Sequence, residues 1–213
     1  MYKNRIDAGN VLLEEISRRG LRDSLSFLFG IPRGGIEVAF PVAEGLHKEI
    51  IPLIVHKIPS SVSDEVAIGA ITPDGEFILN DYASDESKVY LERIVKELSG
   101  RLKEREKYLG SVLNLEGIRN MEVLVIDDGI ATGETLLLSV KVLLQHNPKK
   151  VYVAVPVSSY EGYKLVAEFA EVICPIVDRN FYAVGAYYEE FSQLSDEQAK
   201  QYIDESKKFE AVK

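Results

Sequence analysis

An α/β fold, with a central and mostly parallel sheet carrying helices on both faces, is predicted by two features of this chain. First, the apolar runs at 123–126, 151–155 and 172–177 are the length of buried strands, and they alternate with helix-length segments at 136–144 and 161–169. Strands apolar at every position are covered on both faces, and connections long enough to hold a helix let neighbours run parallel. Second, 213 residues, 46% hydrophobic and 28% charged, suit one well-buried domain spanning 1–213.

The elements follow in order. A first helix is expected over 7–19, with Asp7 as N-cap, Val11, Leu12 and Ile16 as its apolar stripe, and Gly20 just past its end. A strand over 24–29 runs into Gly30-Ile31-Pro32-Arg33-Gly34-Gly35, followed by a helix over 36–46 and a strand over 50–55. The polar stretch 57–64 reads as a mobile loop. Apolar runs at 67–71 and 76–79 flank Thr72-Pro73-Asp74-Gly75, a hairpin signal, so 58–80 is a flexible loop plus hairpin. A long amphipathic helix over 84–109 aligns Leu91, Ile94, Leu98 and Leu102 on one face. The closing part, 178–213, is an aromatic hood ending in a polar helix from about Ser195.

Bulk properties exclude several classes. A net charge of −9 disfavours nucleic acid and anionic membrane as partners. No apolar run reaches the 18 or so residues of a membrane span, and the first residues lack the apolar core of a secretion signal. Cys174 is the single cysteine, so no internal disulfide forms, which fits a reducing cytoplasm; within its apolar run it reads as a small buried hydrophobe. His47 and His146 have no metal-ligand spacing and read as structural or solvated.

The segment from Val123 to Thr135 carries the chemistry. Four apolar residues precede the acidic pair Asp127 and Asp128, then a small-residue loop holding Ala131, Thr132, Gly133, Glu134 and Thr135, then an apolar helix. Loop amides, hydroxyls and a helix N-terminus suit a phosphate, and a glycine lets the backbone approach it closely. The two carboxylates would repel that phosphate, so they are expected to face hydroxyls or a metal-bound sugar instead. A plain surface turn would need an acidic pair, a glycine and two hydroxyls to coincide.

This segment resembles the phosphoribosyl pyrophosphate (PRPP) signature of the type I phosphoribosyltransferases. The resemblance implies that Asp127 and Asp128 bind the ribose hydroxyls and that residues 131–135 wrap the 5′-phosphate. Two departures stand out: Gly129 replaces the usual apolar residue and is expected to loosen the loop, and Glu134 is expected to turn away from the phosphate. Gly30 to Gly35 is similar to the family's pyrophosphate loop, with Arg33 and Gly34 on the pyrophosphate and a cis peptide expected at Arg33–Gly34. Lys57 matches the basic residue that starts a lid over PRPP, with Asp64 or Glu65 entering the closed site. The stretch 177–188 looks like a base-covering hood, in which Phe181 or Tyr182 stacks on the base. An Arg-Gly-Gly turn, a surface loop and core aromatics are the alternative readings of these last three segments.

The resemblance implies a Mg²⁺-dependent enzyme that moves ribose 5-phosphate from PRPP to a nitrogenous, purine-like base and releases pyrophosphate. Arg33, Lys57, Asp127 and Asp128 are its catalytic residues. The metal is held mainly by PRPP, with no direct protein ligand. A homodimer and a place in nucleotide salvage belong to the same expectation. Ala131 stands where hypoxanthine-guanine enzymes carry an aspartate, which leaves the acceptor open. The rival class is a non-catalytic PRPP- or nucleotide-sensing regulator; an α/β phosphohydrolase with Asp127 as nucleophile lacks a second acidic cluster.

Overall fold

Residues 1–63, 66–110 and 115–210 are described by a computed structural model. The strands are β1 (Leu25–Gly30), β2 (Ile51–Pro52), β3 (His56–Pro59), β4 (Ala67–Ile71), β5 (Phe77–Leu79), β6 (Glu122–Ile126), β7 (Lys150–Ala154), β8 (Val157–Ser159), β9 (Glu171–Ile173) and β10 (Ile176–Asp178). The helices are α1 (Arg5–Arg18), α2 (Gly34–Leu46), α3 (Lys88–Leu109), α4 (Glu134–Gln145), α5 (Tyr160–Ala167) and α6 (Asp196–Ser206).

Five strands form the central sheet in the order β2-β1-β6-β7-β9, and every pairing is parallel. Side-chain alternation divides each central strand between two cores. Leu28, Leu124, Ile126, Tyr152, Ala154 and Ile173 pack with α1, α2, α3 and α6. Phe29, Val123, Val125, Val151, Val153 and Val172 pack with Leu136, Val140 and Leu143 of α4 and Val166 of α5. Burial on both faces is why these strands read as unbroken apolar runs.

Register aligns Gly30 of β1 with Ile126 of β6, Ile126 with Ala154 of β7, and Ala154 with Ile173 of β9. The carboxyl ends of four strands therefore share one sheet edge. From that edge α2 passes to one face and α4 to the other, so the chain diverges between β1 and β6. In open parallel sheets such a switch point leaves the crevice where ligands bind.

Several elements depart from the sequence-based expectation. The first helix begins two residues early, at Arg5, because Asn4 rather than Asp7 is the N-cap: its side chain accepts from the Asp7 N–H, and Asp7 in turn accepts from the Lys3 N–H. The run at 172–177 is two strands. Pro175 has no N–H to continue the ladder, so β9 ends in the central sheet and β10 pairs with β8 in a second, two-stranded sheet. The expected strand at 50–55 shrinks to Ile51–Pro52 at the sheet edge. Residues 57–59, expected to open the loop, belong with His56 to strand β3, paired antiparallel with β4, so the β4–β5 hairpin has a third strand. The long helix starts at Lys88 on a Ser87 N-cap, after a 3-10 turn at Asp81–Asp85.

The hood is tied to the amino terminus. The Tyr2 N–H donates to the Tyr187 carbonyl (2.8 Å), the Glu189 N–H donates to the Tyr2 carbonyl (2.9 Å), and the Tyr2 hydroxyl donates to the Pro156 carbonyl. Helix α6 starts with a Ser195–Gln198 capping box and packs Tyr202 against Phe40 of α2, ring centres 5.0 Å apart. Among the described residues, no helix is long and apolar enough to cross a membrane.

Candidate active site

Asp127 and Asp128 follow β6 at the switch point. The Asp128 N–H donates to Asp127 Oδ1 (2.8 Å). Asp128 Oδ2 accepts from Nε of Arg5 (2.9 Å), a buried residue at the head of α1. The same guanidinium donates from Nη1 to the Ser192 carbonyl (2.8 Å), lies 3.5 Å from Glu37 Oε2, and sits 3.9 Å above the Phe191 ring. Tyr188 closes the arrangement by donating its hydroxyl to the Asp128 carbonyl (2.7 Å). One buried arginine thus links the acidic pair, α2 and the hood.

Electrostatics follow from this packing. Burial pushes the Asp127 carboxyl well above the usual carboxylate range, and the adjacent Asp128 charge adds to the rise. Burial also raises Asp128, against the downward pull of Arg5. A carboxyl held toward its neutral form both donates and accepts hydrogen bonds, which suits sugar hydroxyls. The turn into α2 lies tightly against the pair: a Cβ on Gly34 would stand 2.0 Å from Asp128 Oδ2, so no other residue fits there without moving the carboxylate. The cis peptide of this turn is Pro32–Arg33, one bond before the expected position.

The loop after the pair is held by backbone. The Ile130 N–H donates to the Val157 carbonyl (2.9 Å) and the Ser159 N–H to the Ile130 carbonyl (2.8 Å), which joins the loop to β8. Gly133, at φ 84°, is the N-cap of α4. Gly129 does not loosen the loop as expected. A Cβ there would lie 2.7 Å from Val184 Cγ1, so its bare backbone is what lets the hood settle on the loop.

Three cavities meet around this loop. One of about 180 Å³ is lined by Asp127, Gly129 to Gly133, Thr135, Leu136 and Val184. A second, of about 480 Å³, is lined by Arg5, Arg33, Gly34, Arg105, Asp127, Asp128 and Thr135 among others. A third, of about 260 Å³, is lined by Val55, His56, Lys57, Glu134, Thr135 and Leu138. Thr135 lines all three. Arg33 and Lys57 therefore reach the loop from different sides, and Glu134 lines the Lys57 side.

The two hood aromatics expected to stack on the base lie elsewhere. Phe181 stacks on Tyr187 with ring centres 5.5 Å apart and an interplanar angle of 16°, and Tyr182 is 92% exposed. The hood residue that lines the phosphate-loop cavity is Val184. Asp64 and Glu65 lie outside the described residues. Arg5 and Arg105 line the candidate site without having stood out in the sequence, and Tyr188, at the end of the expected hood, reaches the Asp128 carbonyl.

Other reactive groups have plain roles. Cys174 donates to the Ile176 carbonyl, and burial pushes its thiol up to about 12, which makes it a poor nucleophile at neutral pH. His47 caps α2 in the left-handed conformation. His146 Nε2 lies 2.7 Å from Glu76 Oε2, tying the β4–β5 turn to the end of α4 remote from Thr135. With Glu116 these two make a group of metal-capable side chains within 4.8 Å of one another.

Beside this parallel sheet, with its acidic pair and glycine-bearing loop at the switch point, stands a family match: the chain belongs to the phosphoribosyl transferase domain family, whose model matches residues 2–190. The chain is 30% identical over 211 residues to the Mycobacterium tuberculosis protein named "Putative phosphoribosyl transferase Rv0571c", covering 96% of this chain and 46% of that protein. The chain thus spans about half the length of the curated relatives it matches. The crystal structure of TT1426 from Thermus thermophilus superposes with a TM-score of 0.82 at 32% identity, covering 96% of this chain and 98% of the other. A hypothetical protein from Neisseria gonorrhoeae, crystallised with bound ppGpp, shares the fold at a TM-score of 0.52 and 14% identity, covering 100% and 96% of the two chains.

Proposed function

We propose that this protein is a Mg²⁺-dependent phosphoribosyltransferase that moves ribose 5-phosphate from PRPP to a nitrogenous, purine-like base and releases pyrophosphate. The observation that carries this reading is the meeting of three cavities at Thr135: the phosphate loop on one side, Asp127, Asp128 and Arg33 on the second, Lys57 on the third. PRPP has three parts in the same relation, a 5′-phosphate, a ribose with free hydroxyls, and a pyrophosphate. Residues 131–135 take the 5′-phosphate at the N-terminus of α4. Asp127 and Asp128 hold the ribose hydroxyls, while Arg33, Gly34 and Lys57 face the pyrophosphate, Arg33 by its fork of donors.

In the reaction the bond from the anomeric carbon to pyrophosphate breaks and a bond to the acceptor nitrogen forms, through a cationic, oxocarbenium-like sugar. Positioning and charge stabilisation supply most of the acceleration. The donor set fits Mg²⁺ carried on substrate oxygens: Arg5 already engages Asp128 and Asp127 leans toward its neutral form, so neither is a free hard ligand. When bound there, the ion neutralises charge on the leaving pyrophosphate. Phe181 and Tyr182 line none of the three cavities, so covering of the base by either one requires the hood to move. A homodimer, a cytoplasmic location and a role in nucleotide salvage complete the proposal.

The test is release of pyrophosphate from PRPP and Mg²⁺ across a panel of purines, pyrimidines and amines. Release that depends on one acceptor and on Lys57 supports the transferase. PRPP binding with no release for any acceptor favours a sensor instead.

A further inference from the structure

Resting on that reading of the site, a pair of contacts at the rim of the largest site cavity deepens it. Arg33, in the turn between β1 and α2, and Arg105, toward the end of α3, both line this cavity. Both also point to Asp196, the first residue of α6. Its Oδ1 lies 3.2 Å from Nη2 of Arg105 and 3.9 Å from Nε of Arg33. A single carboxylate oxygen is thus shared by two guanidinium groups from distant elements. Nε of Arg105 is buried and makes no hydrogen bond, which leaves a donor unused beside the shared oxygen.

Charge crowds this rim in a chain whose net charge is −9. Arg5 is committed to Asp128, and Asp196 is the carboxylate that Arg33 and Arg105 share. Behind them, burial and the neighbouring Arg101, Lys57 and Arg105 hold His56 below its ordinary range. The three side chains at Asp196 are each more than a third exposed. Ion pairs this open to water are weak, so an anion of higher charge and more oxygens displaces this one readily.

We infer that Arg105 is a further diphosphate-binding residue and that Asp196 is an internal carboxylate which the diphosphate of the substrate must displace from Arg33 and Arg105. Asp196 then lowers affinity for the diphosphate. The Ser195–Gln198 capping box keeps α6 capped without Asp196.

Calorimetric titration tests this, with inorganic pyrophosphate, inorganic phosphate and PRPP, each with Mg²⁺, on wild type, Arg105→Gln, Arg105→Lys and Asp196→Asn. The expected result is opposite signs. Arg105→Gln weakens pyrophosphate and PRPP binding about tenfold or more, as loss of a charged hydrogen-bonding partner does, and Arg105→Lys recovers part of it. Asp196→Asn tightens both, on the order of two- to fivefold, the strength of an exposed ion pair. Inorganic phosphate, with less charge and fewer oxygens than pyrophosphate, moves less. Misfolding cannot produce tighter binding, so Asp196→Asn separates a competitor from a structural residue. Wild-type binding that Asp196→Asn leaves unchanged or weakens, or that Arg105→Gln leaves intact, overturns this inference alone. A wild type that binds neither PRPP nor pyrophosphate overturns the transferase reading and this inference with it.

Discussion

The Asp127–Thr135 loop and the hood after β10 touch at Gly129 and Val184, yet different partners hold them. The loop is fixed by its own backbone: a parallel strand before it, a glycine cap and helix after it, and a ladder to β8. The hood is fixed by partners far away in the chain: backbone hydrogen bonds to Tyr2 and Lys3, and side chains with Tyr188 on the Asp128 carbonyl, Arg5 on the Ser192 carbonyl and over Phe191, and Tyr2 against Tyr188. The loop carries its geometry in one strand-turn-helix unit. The hood borrows its geometry from the amino terminus, so damage there is expected to move the hood and the orientation of Asp128 while sparing the loop.

The largest break of that contrast is chemical. Replacing both carboxylates, Asp127→Asn with Asp128→Asn, is expected to cut pyrophosphate release on the order of 100-fold or more, since their hydrogen bonds orient the reacting sugar. Arg5→Ala comes next. It strips a partner from Asp128 at a site where both side chains are largely buried, so urea unfolding should show a loss of about 3 kcal/mol. Hydrogen exchange should locate the loosening in the hood and not in β6 or α4. If β6 loosens equally, the two regions are not separable.

Gly34→Ala puts a methyl group into Asp128 and should cost about 1–3 kcal/mol of stability through overpacking, with turnover falling while the phosphate loop keeps its affinity for inorganic phosphate. A smaller effect has the opposite sign. Because the folded-state pKa of Asp127 lies above its unfolded value, the folded protein holds a proton that the unfolded chain has lost in the window between them. Stability therefore falls as pH rises through that window. Asp127→Asn should flatten this slope and raise the unfolding midpoint at pH 7 by roughly 2–4 °C, about 1 kcal/mol, while lowering turnover less than the double replacement does. A wild-type curve without that slope would contradict the raised pKa. Least of all, Tyr182→Ala should leave stability within about 0.5 kcal/mol, given its 92% exposure. An increase in acceptor KM in that variant, with PRPP KM unchanged, would assign Tyr182 to the base.

The same contrast explains what could be read from the chain. The acidic pair, the Thr-Gly-x-Thr loop, the parallel strands and the hairpin are local patterns, and each was visible as a period or a motif. Arg5 was not, for a specific reason: with Asp7 taken as the N-cap, Arg5 fell outside the helix, and its partner Asp128 lies 123 positions away. The Asn4-x-x-Asp7 spacing was the signal available, since it is the capping pattern that starts α1 at Arg5. Arg105 is one of many charges on the 84–109 helix, with no local pattern to set it apart. Only the docking of α6 on α2 sets Asp196 beside it. The split of β9 from β10 was announced by Pro175 but hidden by the apolar run around it. Gly129 looked like a loss of packing because its neighbour, Val184, is brought in by the hood.

The most direct test of the central claim, that the Asp127–Thr135 loop and its acidic pair hold a phosphorylated ribose, is calorimetric titration of PRPP with Mg²⁺. It is run on wild type and on the Asp127→Asn/Asp128→Asn protein, with folding of both checked by thermal unfolding. Saturable binding to wild type that the double variant loses is the expected result. Absence of binding to folded wild type, or equal binding to both proteins, would contradict the claim and leave the loop as a phosphate site for another ligand.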